Sequence, residues 1–146
     1  MKISININPA LEDTEISVSC PKLTPETEKI IAALRLIDSQ LSVRSDDTYT
    51  LLDPGKVIYV EAIDRKTFVY TDDKVYESDL RLYELESSLS DLGFFKISKS
   101  CIVNLHRIQA LKADVEHRIR IYTDNGEQLI ASRMYANDLR EKLGVR

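Results

Sequence analysis

Apolar and polar residues alternate in short runs along most of this chain, and the period is more often two than 3.6. Residues 2–8, KISININ, place Ile3, Ile5 and Ile7 on one side of a predicted strand that Pro9 ends. Residues 15–20 repeat the pattern with Ile16 and Val18. The period then lengthens. Thr24 can cap a helix, Pro25 suits its first position, and Glu26 and Glu28 favour the positive end of its dipole. Ile30, Leu34, Ile37 and Leu41 recur at helical spacing, widened by Ile31 and Ala33. Such a helix has one apolar face, which covers either the sheet beside it or a partner.

After a polar break at 44–48, strand patterns return at 56–62 (KVIYVEA) and 67–71 (TFVYT), with an Asp53-Pro54-Gly55 turn before them and a charged turn at 63–66 between them. Ser78 or Asp79 can cap a second helix through Leu82, Leu85 and Leu89, and Gly93 ends it. Strands follow at 94–104, 108–113, 118–123 and 128–132, the last two joined by Asn125-Gly126, a hairpin turn pair. Residues 134–143 make a short closing helix. The expected fold is mostly β with short helices, α+β overall. It divides into a strand–strand–helix extension over 1–45, completing the fold or forming a dimer surface, and a second domain over 46–146. No parallel strand–helix alternation is visible, which disfavours a doubly wound nucleotide fold.

Composition adds limits. A chain of 146 residues with 43% hydrophobic content can bury a core. No run approaches the roughly 18 apolar residues of a membrane span, and the first residues do not read as a secretory signal. Cys20 and Cys101 are far apart and read as small buried hydrophobes in a reducing cytoplasm. The net charge of -4 counts against a nucleic-acid binder that relies on bulk attraction. Residues 1–56 hold 6 Lys/Arg and 9 Asp/Glu, a net of -3, and 57–146 hold 14 and 15, a net of -1, so basic loops can coexist with acidic faces.

Catalytic signatures are absent. The glycines stand alone, so no phosphate-cradling loop forms, and no Gly-x-Ser-x-Gly elbow or metal-ligand spacing occurs. No enzyme, cofactor or metal is expected. Three basic loops stand out instead, each at a strand end. The first holds Arg65, Lys66 and Thr67. The second, in the run FFKISKSCIVN, holds Lys96, Ser98, Lys99 and Ser100 with no carboxylate among them. The third is Ser132-Arg133-Met134. Lysine and serine suit phosphate oxygens, and Arg can fork onto guanine O6 and N7.

These residues resemble the LytTR DNA-binding domain of bacterial transcription regulators over residues 49–145. The matching pieces are Ile58-Tyr59-Val60-Glu61-Ala62, Leu82-Tyr83-Glu84-Leu85-Glu86, Phe95-Lys96-Ile97-Ser98-Lys99-Ser100-Cys101-Ile102-Val103-Asn104, Asn125-Gly126-Glu127 and Ala131-Ser132-Arg133, in the family's order and spacing. The resemblance implies antiparallel sheets docked sideways on double-stranded DNA, with loops in successive major grooves and no recognition helix. It assigns DNA contact to Arg65, Lys66, Thr67, Lys96, Ser98, Lys99, Ser100 and Arg133. It also implies paired direct repeats as target, a homodimer at least on DNA, a cytoplasmic standalone regulator, and the membrane-bound partner that restrains some small members. Three positions depart from the pattern: Lys96 and Ser98 stand for Arg and His, and Met134 stands where a second Arg is frequent. The Ser98 and Met134 departures, with the acidic charge, support the alternative of a protein-interaction module with weak or lost DNA binding.

Overall fold

The computed structural model describes residues 1–145; the side chains at 32, 33 and 35–38 lie outside that description. Ten strands and three α-helices follow in the order α1 (Pro25–Asp38), β1 (Leu41–Ser45), β2 (Thr48–Leu52), β3 (Tyr59–Ile63), β4 (Lys66–Tyr70), β5 (Val75–Ser78), α2 (Leu82–Leu89), β6 (Phe94–Ser98), β7 (Cys101–Asn104), β8 (Ile108–Ala113), β9 (Ile119–Thr123), β10 (Gln128–Ala131) and α3 (Arg133–Leu143). They form a seven-stranded sheet, ordered β2-β1-β5-β4-β3-β7-β6, and a three-stranded sheet, ordered β10-β9-β8. Every strand pair is antiparallel.

Alternation along β3, β6 and β7 divides the core in two. Val60, Ile102 and Phe94 face α2 and the 3₁₀ turn after it, where Leu85, Leu89 and Leu92 cover them. Tyr59, Ile97, Cys101 and Val103 face the small sheet and α3, against Ile119, Ile121, Ala131, Ala136 and Leu139. Strands covered on both faces read as near-continuous apolar runs, which is why Cys101–Asn104 is buried throughout. Asn104 ends that run usefully. Its amide donates to the Val57 carbonyl at 2.9 Å, and its side-chain oxygen accepts from the His106 N–H at 3.0 Å. It is a buried polar residue that fixes the end of the sheet.

The extension differs from expectation. Residues 2–8 and 15–20 join no ladder, and Ile3, Ile5 and Ile7 are exposed. A period of two supplies a strand with a face but not with a neighbour, and no sheet edge lies against these segments within the chain. Only α1 forms, capped by Thr24, whose hydroxyl accepts from the Thr27 N–H at 3.3 Å. Of its expected stripe, Ile30, Ile31 and Leu34 are half-buried, and Ala33 and Ile37 fall among the undescribed side chains. Leu41 is not helical. It opens β1 at 6% exposure, opposite Leu52. β1 pairs with both β2 and β5, so the expected boundary between 45 and 46 falls inside a hairpin. Among the cysteines, Cys101 is buried as expected and Cys20 is exposed.

Candidate nucleic-acid interface

β3 runs antiparallel to both β4 and β7, so the end of β3 and the starts of β4 and β7 lie together. The β3–β4 connection is a two-residue hairpin closed by Ile63 opposite Lys66. Its central residues, Asp64 and Arg65, have φ of 50° and 68°, the sign that a type I′ turn requires at both positions. The β6–β7 hairpin closes at Ser98 opposite Cys101 after a register shift, and the Ser100 N–H donates to Ser98 Oγ at 3.3 Å. The Ala62 N–H donates to the Ser100 carbonyl at 2.8 Å, which ties the two tips side by side.

The third loop joins them through one bond. The Ser132 N–H donates to the Ile97 carbonyl at 2.8 Å, so β10 ends against β6 and α3 begins beside the second tip. Lys99, Ser132, Arg133, Met134 and Tyr135 then line one shallow groove. A fourth loop shares this end. Ala113, Ile119 and Ala131 are register partners, which places the 114–118 connection next to Ser132. Glu116, Arg118 and Arg133 line a second groove there. Sequence reasoning passed over Arg118, although a cation at a strand end is the same signal that marked the other three loops.

The rim therefore gathers Arg65, Lys66, Lys99, Ser100 and Arg133 as exposed residues, with Lys96 and Ser98 half-buried behind them. Thr67 is the exception. It lies within β4 between Ala62 and Ser78, at 5% exposure, and is withdrawn from the rim. The strand pleat explains this: of two successive residues one faces out and the next faces in. Ser98 spends its oxygen on a local backbone N–H, that of Ser100.

Three arginines are held in ion pairs, and the rim cations, like most of the lysines, are not among them. Among the described residues, Arg44 pairs with Glu77 and Asp79, Arg107 with Asp72 and Asp124, and Arg120 with Asp114. Arg65, Lys66, Lys96, Lys99, Arg118 and Arg133 enter no ion pair among the described residues. Of the paired acids, Asp79 is held below the usual carboxylate range by the Tyr49 hydroxyl, helped by Arg44. Asp114 is held there by the Val115 N–H, helped by Arg120. Behind the tips, Tyr59 stacks on Tyr70 with ring centroids 4.1 Å apart, and the Tyr70 hydroxyl donates to Glu61 at 3.4 Å. Burial, with Glu61 nearby, pushes the Cys101 thiol up to about 12. No group of three or more His, Cys, Asp or Glu among the described residues is placed to hold a metal ion.

Residues 47–144 match the family model of the LytTr DNA-binding domain. The chain belongs to the LytTR family. Its fold agrees with a solved LytTr DNA-binding domain of a methyl-accepting/DNA response regulator from Bacillus cereus, at a TM-score of 0.69 and 31% identity. That match covers 73% of this chain and 97% of the other. Relatives of the same length exist in Staphylococcus aureus: HTH-type transcriptional regulators from strains MSSA476 and MRSA252, 29% and 28% identical, each covering 99% of both chains. The helix-turn-helix in their names has no counterpart in the LytTR domain described here. Five strands separate α2 from α3, so no helix pair is joined by a short turn, and the rim is made of strand connections and the start of α3.

Proposed function

We propose that this LytTR chain is a sequence-specific transcription regulator. It reads double-stranded DNA with the loop rim, entering successive major grooves with the Asp64–Lys66 tip, the Ser98–Ser100 tip and the start of α3. One observation carries the reading: cations from four separate connections share one end of the sheets and, among the described residues, enter no ion pair. An unpaired cation is free to displace the counterions of a phosphate backbone. Lys66, Lys96, Lys99 and Ser100 hold phosphates, and Arg118 joins them. Arg65 and Arg133 reach base edges. Met134, 69% exposed beside Arg133, replaces hydrogen-bonding readout by apolar contact with a thymine methyl. The protein works in the cytoplasm without a cofactor, as two protomers on paired direct repeats.

Binding to DNA from upstream of its own gene, measured by gel shift across a salt series, tests this. Lys99→Ala weakens all sequences alike and lowers the salt slope by about 0.9. Arg133→Ala costs about 1–3 kcal/mol and relaxes preference at one base position. A chain that forms no specific complex, or variants that bind like the parent, would refute the assignment. A second reading, a LytTR scaffold kept for protein interaction, draws on the net charge of -4 and on Ser98 and Met134. Partner binding that ignores salt, with no footprint on DNA, favours that reading.

A further inference from the structure

The segment before α1 is patterned like a strand but belongs to no sheet. Ile3, Ile5 and Ile7 alternate with polar residues and are 81%, 88% and 87% exposed. A complementary vacancy lies at the far side of the large sheet, where β2 is the edge strand with β1 as its one neighbour. The two-residue turn makes Ser45 and Thr48 the closing pair of that hairpin. Alternate residues of β2, Tyr49 and Leu51, therefore turn their backbone N–H and C=O away from β1. Their side chains are 60% and 66% exposed. An open edge flanked by exposed apolar side chains is a template for one more strand.

We propose that residues 2–8 of one copy add as a strand to β2 of a second copy, and reciprocally, so that the chain dimerises by exchanging its N-terminal arms. Each copy carries one free strand and one open β2 edge, so a two-fold exchange gives every arm a β2 to pair with. The arm lies off its own β2 in the structure. Sixteen residues, 9–24, connect it to α1. They reach about 50 Å when extended, enough to cross to a neighbouring domain. Ile3, Ile5 and Ile7 then lie beside Tyr49 and Leu51. Charge agrees with this occupant: Asp46 and Asp47 flank one end of β2 and Asp53 the other, so Lys2 meets a carboxylate in either strand direction. The arm lies outside the domain that matches the family model, and the inference does not rest on the DNA reading.

Sedimentation of the full chain tests the pairing. The expected species has twice the 16.7 kDa of one chain. Ile5→Asp and Leu51→Lys each weaken dimerisation about tenfold or more. Both sites are exposed, so thermal unfolding of the domain stays in place and separates lost pairing from lost folding. In a Cys20→Ser background, mixing an Ile5→Cys chain with a Leu51→Cys chain gives a disulfide-linked heterodimer. A monomeric full chain overturns the proposal, as does a dimer indifferent to Ile5→Asp. A double cysteine variant that cross-links within one chain, with no link between mixed chains, assigns the edge to its own arm and overturns it too.

Discussion

Arg65 occupies a position whose backbone asks for glycine. A φ of 68° puts its Cβ in the left-handed region, next to Asp64 at 50°, and a non-glycine residue there costs about 1–2 kcal/mol. A side chain kept at that cost on an exposed tip fits a contact rather than a packing role. Arg65→Gly is therefore expected to hold or raise stability in denaturant titrations, by up to about 1 kcal/mol, while weakening DNA binding. A fall in stability would point to a folding role. Cys101 tests the opposite environment. Burial raises its thiol from an ordinary 9.0 to about 12. The neutral thiol's contribution is thus fully present below about pH 9 and is lost as pH rises toward 12. At pH 8 a thiol reagent should modify Cys20 alone in the native chain and both cysteines in denaturant. That Arg65, Lys66, Lys99 and Arg133 stand exposed at strand ends was legible from residue type and spacing. The burial of Thr67 was not, because a turn boundary one residue earlier sends it into the sheet.

At the scale of elements, Gly93 links α2 to β6 at φ 88°, and a Cβ built there would lie 2.6 Å from His106 Nε2. Gly93→Ala meets both strain and a clash, and should lower stability by about 1–3 kcal/mol. Adding His106→Ala should recover the clash and leave the strain, so a double-mutant cycle in denaturant shows coupling between the two. If the two changes simply add, His106 does not confine that turn. Element existence followed from pattern for α2, for the Asn125-Gly126 hairpin and for α3. Boundaries moved where a local bond intervened. β3 starts at Tyr59 rather than near 56 because Asp53 accepts from the Gly55 N–H at 2.9 Å and winds Pro54–Lys56 into a 3₁₀ turn.

For the whole molecule, the distribution of charge matters more than the net of -4. Arg107 lies at the end of the sheets away from the rim, paired with Asp72 and Asp124. Arg118 lies on the rim. Arg107→Gln and Arg118→Gln change net charge equally. The first is expected to cost on the order of 1 kcal/mol of stability and to leave DNA affinity nearly unchanged. The second should leave stability unchanged and weaken binding with a shallower salt dependence. Equal losses of affinity would mean that the overall field governs binding. The chain's one-dimensional text determined most element types from residue 56 onward and the residue types at the basic tips, because these depend on side-chain period and turn chemistry within a few residues, while the antiparallel arrangement was implied by the family resemblance. Tertiary structure decided which tips meet, that Arg118 stands among them, and that the first twenty residues remain outside the sheet. Those outcomes depend on ladder register and on bonds such as Ser132 to Ile97, which join residues far apart in sequence and leave no local mark.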